Sequence, residues 1–250
     1  MQQELIANNW RTLIRPRRLE TEDEEQTRNY GRFWCEPLER GFGVTLGNAL
    51  RRVLLSSLQG AAITTARIKG VLHEFSTIPG VMEDVADVIL NLKEVRLRMH
   101  VEGPRTLRVR RSGEGVIRAG DLVSDDSAIE VLNPELRIMT LNAEADVELE
   151  LTVGSGKGYR PAEKNKSEEM PIGTIPIDSI FSPVLKVNYT VTPARVGRET
   201  DFDRLNLEVW TDGAVTPADA VAFAAKILKD QLTIFINFEE PTVGLISVEE

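Results

Sequence analysis

Apolar and polar residues alternate strictly through five stretches: VRLRMHVEG (95–103), TLRVRR (106–111), DVELELTV (146–153), VLKVNYTVTP (184–193) and RLNLEVWTDG (204–213). A period of two predicts half-buried antiparallel strands. The first two stretches turn Arg96, Arg98, His100, Arg108 and Arg110 outward, and the third turns Glu148 and Glu150 outward. Pairing the acidic strand with the basic ones across a sheet satisfies both signs. Contact with nucleic acid is the other use for such a basic face. TLIRPRRLETEDEE (12–25) and YGRFWCEPLERGFG (30–43) read as two further extended segments. Between them Arg15, Arg17 and Arg18 face Glu20, Glu22, Asp23, Glu24 and Glu25 across a charged turn.

A helical period appears in three places. EDVADVILNLKEV (83–95) is one. TPADAVAFAAKILKDQLTIFINF (216–238) is the clearest, with Thr216 as N-cap, Pro217 at the first helical position and Asp219 at the positive end of the dipole. Its apolar residues Ala220, Phe223, Ala224, Ile227, Leu228, Ile234, Phe235 and Phe238, with Val221 and Leu232 at the edge, cover about half the helical wheel. One core face takes roughly 100°. The excess width predicts burial from two directions, by a second copy of the chain or by another layer of the same domain.

The third helical stretch is RGFGVTLGNALRRVLLSS (40–57). Gly41, Gly43 and Gly47 form G-x-G-x-x-x-G, one residue too long for a dinucleotide fingerprint, and no Lys-Ser or Lys-Thr pair closes a Walker loop. The glycines therefore read as a tight bend into a helix that starts near Thr45, its cap. Leu46, Ala49, Leu50, Val53 and Leu54 form one apolar stripe, while Asn48, Arg52 and Leu55 fall on the far side. A single outward leucine is ordinary, but one beside arginine on a rigid helix also has the composition of a protein–protein anchor.

The order of elements is strand, strand, helix, a long β-rich stretch, then two strands and a helix. Its outer thirds mirror each other. This predicts an α+β fold: a discontinuous domain of 1–59 plus 181–240, a β-rich domain of 60–180 inserted into it, and the start of a linker or tail at 241–250. GSGKGYRPAEKNKSEEM (154–170) has no apolar period and predicts a long mobile loop. No internal repeat is present.

Composition narrows the function by exclusion. The 250 residues carry a net charge of −9, which argues against a general binder of phosphate backbones. One cysteine, Cys35, forms no internal disulfide and fits a reducing compartment, and no apolar run approaches the roughly 20 residues of a membrane span. With two histidines, His73 and His100, no C-x-x-C, no H-x-x-x-H and no G-x-S-x-G, neither a transition-metal site nor a hydrolytic triad is expected. No D-x-D-x-D run suited to Mg²⁺ occurs either.

Four segments carry a specific resemblance: EPLERGFGVTLGNALRRVLLSSLQGAAIT, GVLHEFSTIPGVMEDVADVILNLKEV, PIGTIPIDSIFSPVLKVNYTV and ARVGRETDFDRLNLEVWTDGAVTPADAVAFAAKIL. From about residue 10 to about residue 240 the chain resembles the α subunits of bacterial DNA-directed RNA polymerases. The resemblance implies a non-catalytic, homodimeric scaffold on which the β and β′ subunits assemble, joined by ω and sigma, in the cytoplasm and at the nucleoid. It implies a dimer interface of helices 45–57 and 216–236, with Leu46, Leu50, Val53, Phe223, Ile227, Leu228, Gln231 and Phe235. It implies β contact at Asn48, Arg52, Leu55 and Lys93, and β′ contact around 154–174. No cofactor is expected in this chain; Mg and Zn of the assembled enzyme belong to other subunits. Family members continue into a small helical domain that binds upstream DNA. This chain stops at Glu250, so DNA contact is expected only through the assembled complex or through that missing domain. A stand-alone nucleotide- or nucleic-acid-binding protein is the alternative.

Overall fold

A computed structural model describes residues 12–22, 27–124, 127–167, 169–196 and 199–237. Asp23, Glu24 and Glu25 of the expected charged turn, Phe238 of the apolar stripe and the expected linker at 241–250 lie outside the described residues. In chain order the main elements are β1 (Tyr30–Glu39), α1 (Phe42–Ser56), β2 (Gln59–Ile68), α2 (Val85–Lys93), β3 (Leu97–Met99), β4 (Arg105–Ser112), β5 (Ile129–Val131), β6 (Asp146–Lys157), β7 (Thr174–Pro176), β8 (Val184–Val196), β9 (Glu199–Thr211) and α3 (Pro217–Thr233).

Strands distant in sequence share one sheet. Glu20–Thr21, β1, β9 and β8 form a four-stranded antiparallel sheet in that order. On β9, Leu205, Leu207 and Val209 are buried, and Leu207 and Val209 join Phe33, Val187, Leu54, Ala220, Val221 and Ala224 in a core beneath α1 and α3. Pro37 sits in β1 where the register with β9 shifts between Asp203 and Leu205, a bulge being where a strand tolerates a residue without an N–H.

The intervening chain builds a second sheet, ordered Val123–Ser124, β4, β6, β2, β3, β5, with β7 on the far half of β2. Along β6, Val147, Leu149, Leu151 and Val153 are buried against a larger core that includes Val85, Val88, Ile89 and Leu92 of α2. Each such side chain contributes about 1.5–3 kcal/mol by leaving water. On the outer face the expected charge pairing is present: Arg108 stands opposite Glu150 and Arg110 opposite Glu148. Arg67 of β2 reaches Glu150 at 2.7 Å from the other side. On the neighbouring edge Arg98 pairs with Glu130 at 2.9 Å.

The expected long loop at 154–170 is overturned. β6 continues to Lys157, Tyr159–Arg160 pairs with Ser179–Ile180, and Ala162–Asn165 is a short helix. Glycine here serves close packing. Gly156 stands opposite Gly60 in the sheet, and a methyl group at 156 would meet the Phe181 ring at 2.7 Å. Composition suggested a loop where the chain is a strand beneath an aromatic ring.

Candidate functional site

The first surface begins at the start of α1. Gly41 has φ 90°, a left-handed conformation that favours glycine, and the helix begins at Phe42 rather than near Thr45. Thr45 lies inside the helix and donates its hydroxyl to the Gly41 carbonyl at 3.2 Å. The cap comes from another element. Asp203 Oδ2 on β9 accepts from Gly41 N at 2.8 Å and Gly43 N at 3.1 Å, placing a carboxylate at the positive end of the dipole.

The face of α1 against the sheet is Gly43, Gly47 and Leu54. A methyl group at 47 would stand 2.5 Å from Tyr189 Cδ2, and one at 43 would stand 2.8 Å from Val191 Cγ1. The helix therefore lies close on β8, and this rotates the expected stripe: Leu54 is buried, but Leu46, Ala49, Leu50 and Val53 are only half-buried. Val53 packs against the smaller core. Leu46 and Leu50 turn toward α3.

On α3 the expected cap holds, with Asp219 N donating to Thr216 Oγ1 at 3.2 Å. The helix ends at Thr233, short of the expected 238. Its broad apolar surface divides in two. Ala220, Val221 and Ala224 are buried beneath it, while Phe223 is 55% exposed, Leu232 53% and Phe235 80%. Leu46 and Leu50 of α1 with Leu228, Leu232 and Ile236 line an open apolar groove of about 700 Å³. Phe223 and Ile227 line an adjoining hollow of about 490 Å³ with Leu58 and Pro183. Gln231 is exposed beside the groove-lining part of the helix. Leu232 was only an edge position in the sequence pattern, although it follows Leu228 by one helical turn.

The second surface faces away from the groove. Asn48 and Arg52 are exposed on the outside of α1. Leu55 departs from expectation: it is half-buried and packs against the smaller core, because the last turn of α1 lies over the strands leading to α3. Lys93 ends α2, and its ammonium lies 3.1 Å from Asp178 Oδ2. Asp178 Oδ1 also accepts from Ala162 N at 2.8 Å. That backbone bond, followed by the Lys93 ammonium, holds the Asp178 carboxyl below its ordinary range, and the nearby Tyr159 hydroxyl acts in the same direction. Next to Tyr159, a Cβ at Gly158 would lie 3.5 Å from the Ser56 carbonyl of α1. A continuous track thus runs from the Arg52 end of α1 over Gly158 and Tyr159 to Lys93. Sequence reasoning named its two ends, placed Tyr159 only within the 154–174 segment expected to meet β′, and missed Asp178, which shares no local pattern with either end. Among the described residues no three His, Cys, Asp or Glu side chains are grouped to hold a metal, and no helix is long and apolar enough to cross a membrane.

Comparison with known proteins gives this architecture a family. Residues 66–182 match the family model described as the RNA polymerase Rpb3/RpoA insert domain. The chain is 60% identical over 235 residues to the DNA-directed RNA polymerase subunit alpha of Geobacter metallireducens, covering 94% of this chain and 69% of the relative. It is 60% identical over 235 residues to the subunit of the same name from Pelobacter propionicus, with the same coverage. It is 55% identical over 240 residues to that of Desulfosudis oleivorans, covering 96% and 70%. With identity of 55–60% over 94–96% of its length, the chain belongs to the family of bacterial DNA-directed RNA polymerase α subunits.

Proposed function

We propose that two copies of this chain form a homodimer through the α1–α3 groove, and that the dimer is the platform on which the β and β′ subunits of the polymerase assemble for transcription. The open apolar groove carries this reading. A contiguous apolar surface rimmed by polar residues marks an interaction site, and a twofold axis lets one such surface cover its own copy. Leu46, Leu50, Val53, Phe223, Ile227, Leu228, Gln231 and Phe235 form the interface, joined by Leu232 and Ile236. An obligate interface of this kind buries on the order of 2,000 Å² or more.

The four-stranded sheet with α1 and α3 (1–59 plus 181–240) is the dimerising unit, and 60–180 is the inserted unit. Asn48, Arg52 and the outer part of Leu55, with Lys93 at the far end of the track, face β; the segment around 154–174 faces β′. ω and sigma join the assembled complex, and DNA is met through it. The chain supplies structure and no catalytic group or cofactor, Mg and Zn being held by other subunits, and it works in the cytoplasm at the nucleoid.

Sedimentation tests the first step, and mixing with purified β tests the second. The expected chain is a dimer at micromolar concentration. Arg52→Ala leaves that dimer intact and raises the dissociation constant for β about tenfold, the cost of truncating one interface anchor. A monomer at tens of micromolar overturns the dimer, and unchanged capture of β overturns the assigned face.

A further inference from the structure

The chain crosses between its two sheets at Leu58–Gln59 and again at Ser182–Pro183. The crossings adjoin: a Cβ at Gly60 would meet Pro183 Cδ at 3.4 Å. Two adjoining covalent links fix separation but leave rotation about the line through them, which is the geometry of a hinge. A third tie stands across a cavity of about 260 Å³ lined by Gln59, Gly60, Pro183, Arg98, Ala214 and Val215.

That tie is Arg98 on β3. Its Nη2 donates to the Gly213 carbonyl at 2.5 Å and its Nε to the Ala214 carbonyl at 3.1 Å. Its Nη1 donates to Glu130 on β5 at 2.9 Å. Gly213 and Ala214 belong to the turn between β9 and α3. One planar guanidinium thus joins the inserted sheet to the turn that launches α3. The turn is itself braced, since Asp212 N donates to Pro183 O at 2.9 Å and Asp212 Oδ1 accepts from Ala214 N at 2.8 Å. Burial pushes the Asp212 carboxyl upward, and the nearby Arg96 and Arg98 charges act against that push. A rigid fork reaching two consecutive carbonyls fixes angle as well as distance, which an ammonium on a flexible stem does not.

We propose that Arg98 is a positioning residue: it locks the inserted sheet at one angle to α3, so that Arg52 and Lys93, one on each side of the hinge, present a single surface to the β subunit. The effect on β rests on the reading above that both residues meet that partner. Releasing the lock spreads the angle over many values. The apparent affinity for β then falls in proportion to the fraction of molecules in the competent orientation.

The test uses the full chain with Arg98→Gln, and Arg98→Lys as the conservative partner, each measured by sedimentation, hydrogen exchange and titration with purified β. Arg98→Gln keeps the dimer and speeds exchange of the Asp212 and Ala214 amides about tenfold, while amides in the centres of β6 and β9 keep wild-type protection. It weakens β capture about tenfold, and Arg98→Lys recovers part of both effects. Combined with Arg52→Ala it adds little further loss, because a misaligned molecule already engages only one half of the surface. Unchanged exchange in the turn, unchanged capture, or fully additive losses each overturn the proposal. If Arg52→Ala and Lys93→Ala both leave capture intact, the shared β surface fails, while the exchange result still decides the lock.

Discussion

Glu150 is the residue where the charge pattern of the inserted sheet converges. Its carboxylate lies 2.7 Å from Arg67 on one neighbouring strand and 3.6 Å from Arg108 on the other. The Arg67 hydrogen bond is the main cause that holds the Glu150 carboxyl below the ordinary glutamate range, with the Arg67 and Arg108 charges adding to it against a partial burial that acts the other way. The sign follows from linkage. The folded carboxyl ionises at lower pH than the unfolded one, so the unfolded chain binds more protons on the acid side. The stabilisation is complete above the ordinary glutamate pKa of about 4.3 and is lost as pH falls from there through the depressed folded value. Solvent exposure limits the amount to below about 1 kcal/mol. Glu150→Gln therefore lies below wild type at pH 7 and converges with it as pH falls below the ordinary glutamate range, as urea unfolding at a series of pH values measures. Parallel curves across that range contradict the assignment.

At the scale of the element, α1 depends on a residue far from it in sequence. Asp203 accepts two N–H groups at the start of the helix, and a capping acceptor is worth about 1 kcal/mol. Asp203→Ala is expected to lower the melting temperature by about 2–4 °C for a chain of this size, and Asp203→Asn to recover most of the loss. Thr45→Ala, which removes only a hydroxyl inside the first turn, stays within a few tenths of a kcal/mol. Equal losses from Asp203→Ala and Thr45→Ala in thermal melts return the cap to Thr45. The same contrast explains what the sequence could reveal. Strand parity told which arginines and glutamates share a face, and the width of α3 told that its apolar surface exceeds what one core face takes, because both are local periodicities. The start of α1, the burial of Leu55 and the strand at 154–157 were set by Asp203, by the small core beneath α1 and by Phe181, and no local pattern records those neighbours.

At the scale of the molecule, the test of the dimer is a charge placed where the protomer does not need an apolar group. Phe235 is 80% exposed in the protomer, so an aspartate there stays hydrated in the monomer and leaves the fold intact. In a twofold dimer the same substitution buries two carboxylates against apolar surface, at about 2 kcal/mol or more each. The sum corresponds to a dissociation constant at least ~1,000-fold higher. Phe235→Asp is therefore expected to give a folded monomer with wild-type circular dichroism, whose melting temperature no longer rises with protein concentration. A dimer of wild-type affinity removes Phe235 from the interface, and an unfolded product shows that the side chain supports the protomer instead. The folded monomer also separates the two surfaces. It retains Arg52 and Lys93 in one frame, so it is expected to capture a single β subunit while failing to bring β and β′ together, because in the proposed dimer the two large subunits sit on different copies of the chain.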